Sequence, residues 1–189
     1  MMERKIIYFE NVGPGNTDAT LDASKERARS LNICKVVVAT TSGDTALKCA
    51  TVFKGTGVEP IAVTLAAGRW KDLGAPNPQK LQQFRELGGK VVTATQVFIG
   101  SLGMAIRKRF GGLTDSELIG QTLYCLSQGV KVAVEIAVMA ADAGLVTPQE
   151  EIISIAGTDQ GADTALVVVP AYSNEFFDFQ VKEIIAMPR

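Results

Sequence analysis

Val36, Val37 and Val38 stand at the centre of an apolar run over residues 35–40, with no polar residue alternating between them. A strand of that kind has two dry faces and belongs inside a sheet covered on both sides. The rest of the chain repeats the theme. Apolar runs at 5–9, 60–64, 90–94, 151–156, 164–169 and 181–187 read as further strands, and the segments between them carry helical spacing. Leu21, Ala28 and Leu31 form one stripe, behind an N-cap at Asn16 or Thr17. Thr41-Ser42-Gly43 leads into a helix buried through Ala46, Leu47, Ala50 and Phe53, and Gly55 and Gly57 end it. Asn77-Pro78 opens another, with Leu81, Phe84 and Leu87 inward and Gly88-Gly89 as its stop. Residues 66–76 read as loop. From 95 to 144 the pattern is helical, at 105–110, 115–126 and 130–143, and the last segment is apolar on nearly every side, which predicts a central buried helix. This alternation predicts an α/β domain with a mostly parallel sheet. The 189 residues read as one domain, with a helical insertion around 97–144.

The chain contains no histidine. That excludes Ser-His-Asp and Cys-His catalysis, imidazole metal ligands and imidazole proton relays. Acid–base chemistry would fall to Asp, Glu, Lys, Tyr or Cys. Cys34, Cys49 and Cys125 have neither metal nor redox spacing, so no metal site is expected, and their odd number fits a reduced, cytoplasmic protein. Nineteen basic and twenty acidic side chains give a net charge of −1, which offers no electrostatic case for nucleic acid or an anionic membrane as partner. The longest apolar stretch, 132–141, is broken by Glu135 and too short to cross a bilayer. The run after Met1-Met2-Glu3-Arg4-Lys5 is too short for a signal peptide.

Sheets of this type take ligands at the carboxyl ends of their strands. The residues to read are those after each strand: Glu10-Asn11, Thr41-Ser42-Gly43, Thr64 through Trp70, 95–98 and 157–163. Thr40-Thr41-Ser42-Gly43-Asp44-Thr45 follows a buried strand and opens a helix. The first N–H groups of a helix lack internal partners and carry positive partial charge, Gly43 permits close approach, and the hydroxyls add donors. Such a turn seats a phosphate without Lys or Arg; plain N-capping by Thr41 or Ser42 is the equal alternative. No Gly-Lys-Ser/Thr follows, so it is not a Walker A loop. Gly157-Thr158-Asp159-Gln160-Gly161-Ala162-Asp163-Thr164 is, alone, a hairpin or crossover turn, and gathered beside the first loop it joins the candidate site. Asp159 and Asp163 are too sparse for a calcium loop. Glu135 is either a buried carboxylate available as a base or the i,i+4 ion partner of Lys131, the plainer reading. Arg107-Lys108-Arg109 reads as a solvated helix end. Trp70 either stacks on an aromatic ligand or covers the domain edge.

Residues 36–64, with Thr-Ser-Gly-Asp-Thr-Ala at the core and Glu-Pro-Ile-Ala-Val-Thr after it, resemble the C-terminal α/β domain of pyruvate kinase, and residues 152–169 resemble its last loop and strand. In pyruvate kinases these loops form the allosteric site for a phosphorylated sugar. The likeness is stronger to small stand-alone proteins similar to that domain. It runs through Asn16-Thr17, 131–136, 139–144, 161–165, Phe176-Phe177 and 183–189. The resemblance implies a three-layer α/β/α fold with a mostly parallel, mixed sheet. It also implies binding of flavin mononucleotide (FMN), which some members look like they bind. The phosphate would then meet the N–H groups of Ser42, Gly43 and Asp44 and the hydroxyls of Thr41, Ser42 and Thr45, with Gly157, Gly161, Ala162, Asp163 and Thr164 beside it. Glu10 and Asn11 would meet hydroxyls, and Trp70, Phe98 and Leu102 the ring. The chain has no counterpart of the catalytic barrel, so kinase activity is not implied, and the histidines that relatives carry after the third and fourth strands are absent. Two further expectations stand beside FMN: a sensor domain for a phosphorylated metabolite, and a homo-oligomerisation module with Phe176, Phe177 and Phe179 as interface or core.

Overall fold

The triple-valine run forms an interior strand, β2 (Lys35–Ala39), whose three valines have no exposed surface. It lies in a computed structural model that describes residues 3–100 and 102–189; Met1 and Met2, which open the segment read for a signal peptide, lie outside the described residues, as does Ser101. Among the described residues seven strands make one sheet. The others are β1 (Ile7–Phe9), β3 (Glu59–Thr64), β4 (Lys90–Thr93), β5 (Ile152–Ala156), β6 (Thr164–Val169) and β7 (Gln180–Pro188), and the order is β1-β7-β6-β5-β2-β3-β4. Every pairing is parallel except those of β6, which runs antiparallel to both β5 and β7. The carboxyl ends of the six aligned strands and the amino end of β6 therefore share one edge. The chain goes outward from β2 to β3 and β4, then returns to place β5 on the other side of β2. Such a reversal opens a crevice at the strand ends.

The helices are α1 (Thr17–Leu31), α2 (Asp44–Phe53), α3 (Trp70–Leu73), α4 (Pro78–Glu86), α5 (Leu102–Phe110), α6 (Asp115–Leu123) and α7 (Gln128–Asp142). Side chains alternate across a strand, and the two faces feed two cores. Val36, Val38, Ala62 and Ile153 meet Leu21, Ala46, Phe53 and Phe84 of α1, α2 and α4. Val37, Ile61, Val63 and Leu166 meet Val130, Val134, Ala137 and Ile136 of α7. This is the three-layer arrangement, and it explains why β2 carries no polar residue on either face. Helix α7 is buried along almost its whole length. Each of its enclosed Val, Ile and Met side chains contributes roughly 1.5–3 kcal/mol of apolar burial. Ser127 caps it, its Oγ accepting from the Val130 N–H at 3.0 Å.

Several local expectations shift. Helix α5 starts at Leu102 rather than 105, and α6 stops at Leu123 rather than 126, where the chain tightens into turns closed by the Cys125 and Leu126 N–H groups. The supposed loop at 66–76 contains a 3-10 turn (Ala67–Arg69) and α3, folded back because Trp70 Nε1 donates to the Leu65 carbonyl at 2.9 Å. A 3-10 segment (Ser173–Asp178) precedes β7. Thr17 caps nothing with its side chain. Its Oγ1 donates to the Pro14 carbonyl and accepts from the Ala162 N–H at 3.0 Å, which ties the start of α1 to the β5–β6 loop. Of the two readings of 157–163, the hairpin is the observed one. Phe176 and Phe179 pack on the α7-side core, with Phe176 edge-on to Phe98, while Phe177 points outward.

Candidate functional site

A cleft of about 1010 Å³ lies at the strand-end edge where the chain reverses around β2. Ala39, Thr40, Val63 and Thr64 bring the ends of β2 and β3 to it. The β2–α2 turn adds Thr41, Ser42, Asp44 and Thr45, and the hairpin loop adds Gly157, Asp159, Gln160 and Gly161. Helix α7 supplies Lys131, Val132, Glu135 and Ile136 opposite. The loops after β3 and β4 contribute Leu65, Arg69, Gln96 and Ile99. The two loops singled out in the sequence are thus brought to one cavity.

The turn itself is tightly made. The Gly43 N–H donates to Thr40 Oγ1 at 3.0 Å and the Asp44 N–H to Ser42 Oγ at 3.3 Å. Two of the three backbone donors expected for a phosphate are therefore engaged within the turn. The N–H groups of Thr45 and Ala46 belong to the first turn, which a helix leaves without internal partners. Gly43 is required for its backbone rather than for a ligand's approach. Its φ is +104°, and a Cβ there would stand 2.9 Å from Lys80 Cβ on α4, away from the cleft residues. Asp44 sits at the first position of α2, and Lys80 and Ser42, bonding to its carboxylate, hold it below the usual carboxylate range. Lys48 pairs with Asp18 at 2.7 Å.

Asp163 lies beneath the cleft and does not line it. Fully buried, it accepts from the Gly13 N–H at 2.9 Å, the Thr158 N–H at 3.1 Å and Thr164 Oγ1 at 2.9 Å. It fastens the β1–α1 loop to the hairpin loop, and Ala162 and Thr164 are enclosed beside it. Gly129 at the start of α7 packs on the same point; a Cβ there would meet Thr164 Oγ1 at 2.1 Å.

The opposite wall carries the pair Lys131–Glu135, at 2.5 Å and only 4–5% exposed. The i,i+4 reading is the observed one, with an addition. Glu135 Oε1 also accepts from the Phe98 and Ile99 N–H groups at 2.9 and 3.3 Å, which pins the β4–α5 loop to α7. Burial, with Glu135 nearby, raises the Tyr124 hydroxyl above its ordinary range. Arg69 Nε and Gln96 Oε1 are buried on this side without a hydrogen-bond partner.

The remaining candidates fall outside the cleft. Glu10 and Asn11 are exposed in the loop after β1, where the Asn11 carbonyl accepts from Asn16 Nδ2. Trp70 is committed to Leu65, Phe98 turns into the core against Phe176, and Leu102 is 75% exposed. Lys48, Tyr124 and Met139 line the cleft without having been singled out; only a helical period measured from Thr45 would have pointed to Lys48. Among the described residues no group of three His, Cys, Asp or Glu side chains is placed to hold a metal ion, and no helix is long and apolar enough to cross a membrane.

Compared with known proteins, residues 18–168 match the family model described as pyruvate kinase, alpha/beta domain. A solved structure, that of O-ureido-L-serine synthase, is similar at 15% identity and a TM-score of 0.31 over 74% of this chain. The match takes in 51% of that protein, so this chain spans about half its length.

Proposed function

The chain belongs to the pyruvate kinase alpha/beta domain family, and from that premise we propose that it is a binding domain for a phosphorylated small molecule, with FMN as its ligand. The observation that carries the reading is the single cavity that joins the hydroxyl-bearing β2–α2 turn to the glycine-bearing hairpin loop. Thr41 and Thr45 are its phosphate donors, together with the free end of the α2 backbone, while the Ser42 hydroxyl is given to Asp44. The opposite wall, with Val132, Ile136 and Met139, supplies apolar cover for a ring. Asp44 stands at the same helix end, and its charge is countered by Lys80. A bound flavin brings its own redox chemistry; the protein binds, orients and shields it. Three free, well-separated thiols suit a reducing cytoplasm.

The test begins with the absorption spectrum of the purified protein and continues with calorimetric titration of FMN and riboflavin. FMN should bind at least about tenfold more tightly than riboflavin, a difference of about 1.4 kcal/mol. Thr41→Val combined with Thr45→Val should remove that advantage and leave riboflavin affinity unchanged. Equal affinities in the unaltered protein would remove the phosphate seat. A colourless protein that ignores both flavins but is stabilised by a sugar phosphate would make it a metabolite sensor.

A further inference from the structure

Two polar atoms in the cleft have no partner, and they are of opposite kinds. Arg69 Nε can only donate and Gln96 Oε1 can only accept. Gln96 is 6% exposed, and both residues line the cleft. The two side chains come near each other over Gly100: a Cβ on that glycine would lie 2.8 Å from Nη1 of the Arg69 guanidinium, the group that carries the unpartnered Nε, and 3.3 Å from Gln96 Oε1. Neither residue is loosely held. Gln96 lies two residues before Phe98, whose N–H is fastened to Glu135. Arg69 ends the 3-10 turn that leads into Trp70, whose indole is fastened to Leu65. Buried polar groups are nearly always satisfied, and an unsatisfied donor and acceptor lining a cavity call for a partner within it.

The requirement is specific. A phosphate or carboxylate offers acceptors alone, which would serve Arg69 and set lone pairs against Gln96. A ring carbonyl next to a ring N–H serves both at once. The cleft lining also offers Leu65, Ile99, Val132 and Ile136, apolar side chains beside the Lys131–Glu135 pair, which suit the faces of a flat ring better than a polyol. Because β3 and β4 follow β2 in the sheet, the pair lies roughly 5–10 Å along the strand-end edge from the β2–α2 turn. We infer that Arg69 and Gln96 form a second pole of the cleft that recognises the lactam or imide edge of a planar heterocycle. The inference rests on the reading of this cleft as a phosphate-anchored site and names what stands at the other end of the ligand.

The experiment titrates the whole chain with lumiflavin, which has the imide edge and no phosphate, and with its N3-methyl derivative, which lacks the N–H. Lumiflavin should bind, and methylation should weaken it at least about tenfold, the scale of a hydrogen bond whose buried acceptor is left unpaired. Gln96→Leu should bind both compounds equally and weakly, and Arg69→Met should weaken both. Without ligand, Gln96→Leu should melt no lower than the unaltered protein, since it removes an unsatisfied buried acceptor; a clear fall would mark Gln96 as structural and overturn the inference. Equal binding of lumiflavin and its N3-methyl form would also overturn it, as would no binding of lumiflavin. The phosphate seat is judged separately, by FMN against riboflavin and by ribose 5-phosphate. Either pole can therefore fail while the other stands.

Discussion

The three hydrogen bonds that Asp163 accepts all come from inside the protein. Two of its partners, the Gly13 and Thr158 N–H groups, come from loops far apart in the chain. Asp163→Ala would strand the buried Gly13 donor, at about 1–3 kcal/mol, and the half-buried Thr158 donor beside it. The expected loss is about 3 kcal/mol, or roughly 6–12 °C in melting temperature for a chain of this size. Urea denaturation followed by circular dichroism measures it. A change below about 0.5 kcal/mol, the size of an ordinary surface substitution, would mean that the clasp is not made. The same residue shows why binding cannot be tested through it. Its removal would loosen two cleft-side loops at once, so a loss of ligand would say nothing about contact. Gly43→Asp has the same defect. It would strain a positive φ and drive a side chain at Lys80 before any ligand is involved.

At the scale of elements, Glu135 joins α7 to the loop after β4. Glu135→Ala would leave Lys131 uncompensated and the Phe98 and Ile99 N–H groups unpaired, a loss of about 3–5 kcal/mol. Adding Lys131→Met should recover part of it, and a double-mutant cycle in urea measures the coupling. Two independent, additive losses would rule the ion pair out. The strands were legible in the sequence because continuous apolar runs are a direct consequence of burial on both faces, as in Val36-Val37-Val38. So were the two loops at 40–45 and 157–161, because turn-forming residues follow apolar strands there. The antiparallel course of β6 was not legible, since a small-residue loop serves a hairpin or a crossover equally. Nor were Arg69 and Gln96 as a pair, because an unsatisfied atom is defined by everything packed around it. Phe98 was read as a ligand's ring partner for a related reason: an apolar ring after a strand looks the same whether it meets a ligand or Phe176.

The whole molecule is two cores on either side of one sheet, and its thiols report that partition. Cys34 and Cys125 are exposed, while Cys49 lies in the α1–α2 core with its thiol pushed up by burial. A thiol reagent should label two cysteines in the native state and the third only on unfolding. Native labelling of all three, on the same timescale, would contradict the packing of α2. Finally, β1 pairs with β7, joining Ile7 to Ala186 and Phe9 to Pro188. A ribosome makes the first of these strands long before the second. Until residues 186–188 have emerged, Ile7, Tyr8 and Phe9 lack the strand they lie beside. This pairing joins residues far apart in the described chain, and a nascent chain stalled before residue 180 holds β1 without its partner.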